Sequence, residues 1–140
     1  MTRSFSLAGL LRVRGIQERA AAQRLSRAVI DAQHTEARDR LLRAHLTGTG
    51  SEAVDVRSLA ALAAARVAGR TLLADLSTLS ELQEQTVDQA REEHAEARRA
   101  VRGLDRLAEA HAAEARAADR HAEQAELDEI GSRTGAEEPS

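Results

Sequence analysis

Residues 47–51 read Thr-Gly-Thr-Gly-Ser, and they are the one cluster of turn-forming residues inside an otherwise helix-favouring chain. Threonine and glycine lose free energy in a helix, and proline, which breaks a helix outright, occurs once in 140 residues, at Pro139. The chain therefore has two long stretches where a helix can run and one place where it must turn. This pattern predicts an all-α fold: an antiparallel two-helix coiled-coil hairpin with a longer second helix.

The same turn-forming and helix-favouring residues predict where each helix begins and ends. We expect a single coiled-coil domain over residues 1–140, with helix one over about 7–46, a turn over 47–55, helix two over about 56–130 and a flexible tail over 131–140. Ser6 and Asp55 are the expected N-caps, because their side-chain oxygens can accept hydrogen bonds from the first free amides. Each cap follows an apolar residue that can pack on one inside the helix: Phe5 on Leu10, and Val54 on Leu59.

Apolar or small residues recur in helix one at alternating spacings of four and three, the repeat of a coiled-coil seam. The predicted seam of helix one consists of Leu7, Leu11, Ala21, Leu25, Ala28, Ala32, Leu42 and Leu46. Four polar or charged residues interrupt it, namely Arg14, Glu18, Thr35 and Asp39.

Helix two carries a similar stripe, which becomes almost entirely alanine after Leu107 until Leu127 and Ile130. Its predicted seam consists of Leu59, Leu62, Gly69, Leu72 or Leu73, Leu76, Leu79, Val87, Ala90, Ala97, Val101, Leu104 and Leu107. Because helix two is much the longer, the stretch from about 97 to 130 is expected to overhang without an intramolecular partner. An alanine-rich single helix of this kind is only marginally stable alone in water.

Equal rise along both helices predicts that opposite residues have numbers summing to about 102. This register places the arginine-rich residues 1–30 beside the acidic residues 81–96, and a second set of acids beside a second set of arginines. We expect these pairs to select register and direction, and to keep the chain monomeric in dilute solution by closing the seam within one molecule. The second set pairs Asp31, Glu36 and Asp39 with Arg57, Arg66 and Arg70.

Composition excludes several classes of function. The chain is 42% hydrophobic but only 1% aromatic, so alanine supplies most of the apolar surface and a thick globular core with a cleft is not expected. There is no cysteine, and His111 with Glu114 is only half of a bundle-type metal motif, so we expect no catalytic residue, no cofactor and no metal. No aromatic residue interleaves the basic block to stack on bases, so nucleic acid is not an expected partner.

Membrane insertion is also not expected. The longest uncharged apolar run is Leu59–Ala65, far short of the roughly 20 residues a spanning helix needs. Arg12 and Arg14 follow directly on Leu10 and Leu11, so the N-terminus lacks the apolar core of a signal peptide. We therefore expect a cytoplasmic protein.

The two ends of the chain carry a resemblance. Residues 5–14 read Phe-Ser-Leu-Ala-Gly-Leu-Leu-Arg-Val-Arg, and residues 122–130 read Ala-Glu-Gln-Ala-Glu-Leu-Asp-Glu-Ile. Together they resemble the flagellar export protein FliJ family, whose members open with an aromatic residue, a leucine and Leu-Leu-Arg-x-Arg. That family closes with Glu-Gln-x-x-Leu-Asp-Glu-hydrophobic. The resemblance covers the whole length, but residues 59–76 lack the aromatic residue that family members often carry early in helix two.

The resemblance implies an antiparallel coiled coil similar to the stalk (gamma) subunit of rotary ATPases. It implies a place in the cytoplasmic part of the flagellar type III export apparatus, peripherally associated with the membrane at the flagellar base. Its implied partners are the hexameric export ATPase and the membrane-embedded export gate, with a link to export chaperones. Two alternatives stay open: a generic structural or adaptor coiled coil, and a true rotary-ATPase stalk subunit, although nine turn residues leave no room for the extra domains of the latter.

Under this reading, the turn-proximal part of helix two faces the gate and the overhang enters the ATPase ring. The candidate partner-binding residues are Leu59, Leu62, Arg66, Leu73, Leu76, Leu104, Leu107, Arg116, Arg120, Leu127 and Ile130.

Overall fold

The computed structural model describes residues 2–48 and 55–136, with side chains described from Ser6 onward. This part of the chain consists of two helices, α1 over Thr2–Gly48 (47 residues) and α2 over Val56–Ala136 (81 residues), and it contains no strand. The predicted all-α hairpin with a longer second helix is confirmed. The chain separates into a terminal unit, Met1–Gly15 with Arg99–Ser140, and a central unit, Ile16–Arg98. Each unit contains part of both helices.

The helices extend beyond their predicted ends. Because α1 begins at Thr2, Ser6 lies inside the helix and its predicted capping role is wrong. At the other end, α2 continues through Gly131 and Gly135 to Ala136, so the predicted tail is helical over 131–136. Each glycine costs a helix only about 1 kcal/mol, which weakens it without ending it. Residues 49–54 of the predicted turn and residues 137–140 of the predicted tail lie outside the described residues. The two expected staples cannot be followed, because Val54 and the side chain of Phe5 are not described.

Asp55 caps α2 as predicted. Its Oδ1 accepts hydrogen bonds from the Ser58 backbone N–H and the Ser58 hydroxyl, both at 2.7 Å. Its carbonyl oxygen accepts the first helical bond, from the Leu59 N–H at 3.0 Å. These two hydrogen bonds lower the pKa of the Asp55 carboxyl below its ordinary value. The bond from the Ser58 side chain has the larger effect and the bond from the Ser58 backbone the smaller. The capping hydrogen bonds therefore favour the ionised form of the Asp55 carboxylate.

All eight predicted seam residues of α1 are at least partly buried, and Ala21 and Ala28 are fully buried. Three of the four polar interruptions, Glu18, Thr35 and Asp39, are also at least partly buried, whereas Arg14 is exposed. Thr35 is 4% exposed, and its hydroxyl donates to the Asp31 carbonyl oxygen at 3.2 Å within the helix. A buried hydroxyl satisfied by its own helix leaves no unpaired donor, which explains why the seam accommodates it.

The seam of α2 differs from the prediction at several positions. Gly69, Leu76, Val87 and Ala90 are buried, and Leu73 is the partly buried member of the predicted Leu72 or Leu73 position, but three predicted leucines are exposed: Leu59 by 60%, Leu79 by 38% and Leu107 by 56%. Ser80 and Ala108 are partly covered in place of Leu79 and Leu107, and the partly covered Gln83 and His94 fill gaps in the predicted seam. These positions keep the spacing of four and three unbroken from Gly69 to Ala108. Continuity of the repeat therefore outweighs the hydrophobicity of a neighbouring leucine.

The register of the central unit also differs from the prediction. His94 Nε2 lies 3.1 Å from Glu18 Oε1, and Arg24 Nε lies 3.8 Å from Glu93 Oε2. Closer to the turn, Gly69 lies against Leu46. Opposite residue numbers thus sum to about 115 at the common rise of the two helices, and the predicted value of about 102 is wrong. The prediction took the midpoint of the turn as the origin, whereas the packed layers of the seam set the register.

The shift removes most of the expected charge pairing. Within the central unit, Arg24–Glu93 is the one ion pair among described residues that joins the arginines of 16–30 to the acids of 81–96. Asp39 instead accepts a hydrogen bond from Arg43 of its own helix at 2.8 Å, which raises the Arg43 pKa. In the part of the chain described, no ion pair joins the acids of the second predicted set to its arginines. The acids are Asp31, Glu36 and Asp39, and the arginines are Arg57, Arg66 and Arg70.

The core of the central unit is thin because its side chains are small. Its buried cluster is Ala28, Val87 and Ala90, flanked by the partly buried Leu25, Val29 and Ala32. Near the turn the contact is closer still, because a Cβ atom added to Gly69 would lie 2.5 Å from Leu46 Cδ2. Gly69 therefore fills a seam position that a larger residue could occupy only by displacing Leu46.

We expect Gly103→Ala to raise the free energy of unfolding by about 0.5–1 kcal/mol, since nothing lies within 4 Å of the added methyl group. Gly69→Ala gains the same helix propensity but must move Leu46, so its stabilisation should be smaller or reversed. Thermal unfolding followed by circular dichroism measures both variants. Equal increases in the two melting temperatures would contradict the close packing at Gly69.

We expect acidification to weaken the start of α2 through Asp55. A carboxyl whose pKa is lowered by folding stabilises the folded state fully above its unfolded pKa of about 3.9, and this contribution is lost as pH falls through the lower folded value. Asp55→Asn keeps a capping oxygen without an ionisable group. The Ser58 amide shift, followed by NMR between pH 6 and pH 2, should titrate in the wild type and stay flat in Asp55→Asn.

Candidate partner-binding surfaces

An apolar groove of about 460 Å³ lies in the central unit where α1 ends. Gly69 brings the backbone of α2 close to Leu46 in the wall of this groove. Leu62, predicted as a partner-binding residue, is partly buried in its wall beside the exposed Arg66. Its lining residues are Leu42, His45, Leu46, Leu62, Ala65, Arg66, Ala68, Gly69 and Leu72.

The other predicted partner-binding residues near the start of α2 differ in exposure. Leu59 is 60% exposed, whereas Leu73 is partly buried and Leu76 is only 6% exposed. Leu76 packs in the seam and is not among the residues that line the groove. The register leaves residues 56–66 with no described residue of α1 opposite them, and Val56 is accordingly 85% exposed.

The overhang begins later than predicted. Ala97, Val101, Leu104 and Ala108 are partly buried, so the predicted start near residue 97 is wrong. Within the terminal unit every described residue from 109 to 136 is exposed. This stretch of 28 residues corresponds to about 42 Å of single helix. We refer to residues 109–136 as the overhang.

Four of the predicted partner-binding residues share one face of the overhang. Arg116 and Arg120 are four residues apart, and Leu127 and Ile130 continue the same alternation of three and four through Glu123. Leu127 is 62% exposed and Ile130 is 56% exposed. We call this side the Arg–Leu face. The heptad positions that continue the seam lie on roughly the opposite side, and they hold His111, Ala115, Ala118, Ala122 and Ala125.

Among the described residues, the polar and charged side chains of the overhang form pairs within the same helix. Gln124 donates to Asp128 at 3.0 Å and Arg133 to Glu129 at 2.8 Å, both between residues four apart. Such pairs add a few tenths of a kcal/mol each to an isolated helix. Neither Arg116 nor Arg120 forms an ion pair with a described residue, so both guanidinium groups are available to a carboxylate of another molecule.

His111 and Glu114 are both exposed, as expected for solvated residues on a helix surface. Among the described residues, no group of three or more histidine, cysteine, aspartate or glutamate side chains could hold a metal ion. Neither described helix contains a stretch apolar enough to cross a bilayer.

Comparison with known proteins gives one match. The sequence profile of a family described as "Flagellar FliJ protein" matches residues 3–140, almost the whole chain. No curated protein and no solved structure matches the chain.

We expect amide hydrogens of residues 109–136 to exchange with solvent faster than those of residues 69–108 in the isolated protein. The physical reason is that the overhang gains no packing energy from a second helix, so its opening costs less. Hydrogen–deuterium exchange with peptide-level mass spectrometry measures the difference. Equally slow exchange along the whole of α2 would contradict it.

Proposed function

Because the chain belongs to the flagellar FliJ family, and so takes part in flagellar protein export, we propose that it engages the hexameric export ATPase and couples it to the membrane export gate. The overhang contacts the ATPase, and the groove near the end of α1 faces the gate. The protein itself carries out no reaction: ATP hydrolysis belongs to the ring.

The exposure of the overhang is the observation that carries this proposal. A single α-helix has a diameter of about 10–12 Å, and a two-helix rod is roughly twice as wide in one direction. The axial hole of a ring-shaped hexamer therefore admits the overhang more easily than a paired region. Arginines and aliphatic side chains on the Arg–Leu face offer this ring both charge and apolar contact, while the alanines opposite allow close approach.

The groove supplies the second contact. Leu59, Leu62 and Arg66 are placed on α2 beyond or beside the last turn of α1, where an apolar segment of a partner could displace water from the groove walls. A contact with the gate places the protein on the cytoplasmic side of the membrane at the flagellar base.

We expect truncation after Ala108 to abolish stimulation of the export ATPase and motility while leaving the paired helices folded. The cut lies after Ala108 because Leu104 and Ala108 are still partly covered. Helicity per residue by circular dichroism, the ATPase rate of the purified hexamer and swimming in soft agar are the three measurements. Wild-type stimulation by the truncated chain would refute the assignment of the overhang.

Within the overhang, Leu127→Ala/Ile130→Ala should weaken ATPase binding, and Arg116→Glu/Arg120→Glu should do so more strongly at low salt than at high salt. Leu82→Ala is the matched control, since Leu82 is 55% exposed on the central unit and has no role in the proposal.

A further inference from the structure

The apolar groove of the central unit has basic residues in its walls and no carboxylate. Arg66 and His45 are its titratable lining residues, and the rest of the lining is leucine, alanine and glycine. The helix around it has the same character, since α2 contains three arginines and no acid between residues 56 and 74. Arg66 is exposed and forms no ion pair with a described residue. A complementary occupant therefore combines apolar side chains with carboxylates.

The last part of the overhang has this composition. Residues 121–132, which we call the tip, contain four acids and no arginine. Leu127 and Ile130 are 62% and 56% exposed and lie on one side of the tip, because they are three residues apart. Glu123 and Glu126 each lie four residues before one of them, so two carboxylates share that apolar side.

The four acids of the tip divide by their partners. Asp128 and Glu129 accept hydrogen bonds from Gln124 and Arg133 of their own helix, and each is turned by about 100° from the apolar residue next to it. Neither Glu123 nor Glu126 forms an ion pair with a described residue. The carboxylates beside the apolar residues are therefore the ones available to another molecule.

We propose that the groove of one chain binds the tip of a second copy. Leu127 and Ile130 of the tip lose water against the leucines of the groove walls, and the tip carboxylates face Arg66. The contact joins two different surfaces, so every added chain leaves one tip and one groove free for further copies. Its charged part is exposed and screened by salt, so association grows with protein concentration and declines with ionic strength.

The contact has a consequence that rests on the proposed function, although the contact itself does not. The groove and the overhang are the surfaces assigned above to the export gate and the ATPase. A chain whose groove and tip are both occupied by other copies is therefore withheld from both partners. Sedimentation of the protein alone involves neither partner, so it tests the contact separately from those assignments.

Sedimentation velocity of the full-length chain measures the association. At about 20 mM NaCl the weight-average sedimentation coefficient should rise with protein concentration, and at about 500 mM NaCl it should rise less. Peptide-level hydrogen exchange locates the contact, because residues 62–72 and 121–132 should exchange more slowly in concentrated than in dilute protein.

Two variants separate the surfaces. Arg66→Gln/Leu72→Gln removes two exposed groove residues and keeps the tip, whereas Leu127→Gln/Ile130→Gln removes the apolar residues of the tip and keeps the groove. Each variant alone should sediment as a single chain at about 20 mM NaCl. An equimolar mixture retains one working groove and one working tip, so it should form a two-chain complex that grows no further.

Arg70→Gln/Leu82→Gln is the matched control, since both residues are exposed on α2 outside the groove lining, and this variant should still associate. Circular dichroism checks that every variant keeps its helicity. A wild-type chain that stays single at every concentration overturns the proposal, as does a mixture of the two variants that stays single. If the tip variant alone associates as the wild type does, the copies meet through another surface and the proposal is wrong.

Discussion

Two helices with few large side chains stay together here because their small residues recur in step along both of them. The alternation of four and three residues runs through α1 from Glu18 to Leu46 and through α2 from Gly69 to Ala108. It places Thr35 and His94 in the seam and determines which residues lie opposite each other. It ends where α2 extends beyond α1. The groove and the overhang are both consequences of where this repeat places each helix.

Helix type, order and unequal length could be predicted from the sequence because few residues break a helix and they cluster at one internal place. The seam of α1 was equally accessible, since its apolar positions keep the repeat. In α2 the prediction favoured Leu79 and Leu107 over Ser80 and Ala108, because hydrophobicity was counted one residue at a time. The register was out of reach for another reason: it depends on the close fit of Gly69 against Leu46, which no property of either residue alone reveals.

The candidate surfaces, too, could be predicted from the sequence only in part. The Arg–Leu face could be identified because a long helix repeats predictably, so residues spaced by three and four must share a side. The burial of Leu76 and the later start of the overhang could not, because both depend on the register. The proposed contacts lie on exposed helical surface, so an error of a dozen residues in register changes which surface is free without changing the fold.

The alanine-lined seam has a thermodynamic consequence. The heat-capacity change of unfolding grows with the apolar area that unfolding exposes, and alanine and glycine layers expose little of it. A small heat-capacity change flattens the dependence of stability on temperature, so the stability of this hairpin varies gently between cold and warm conditions.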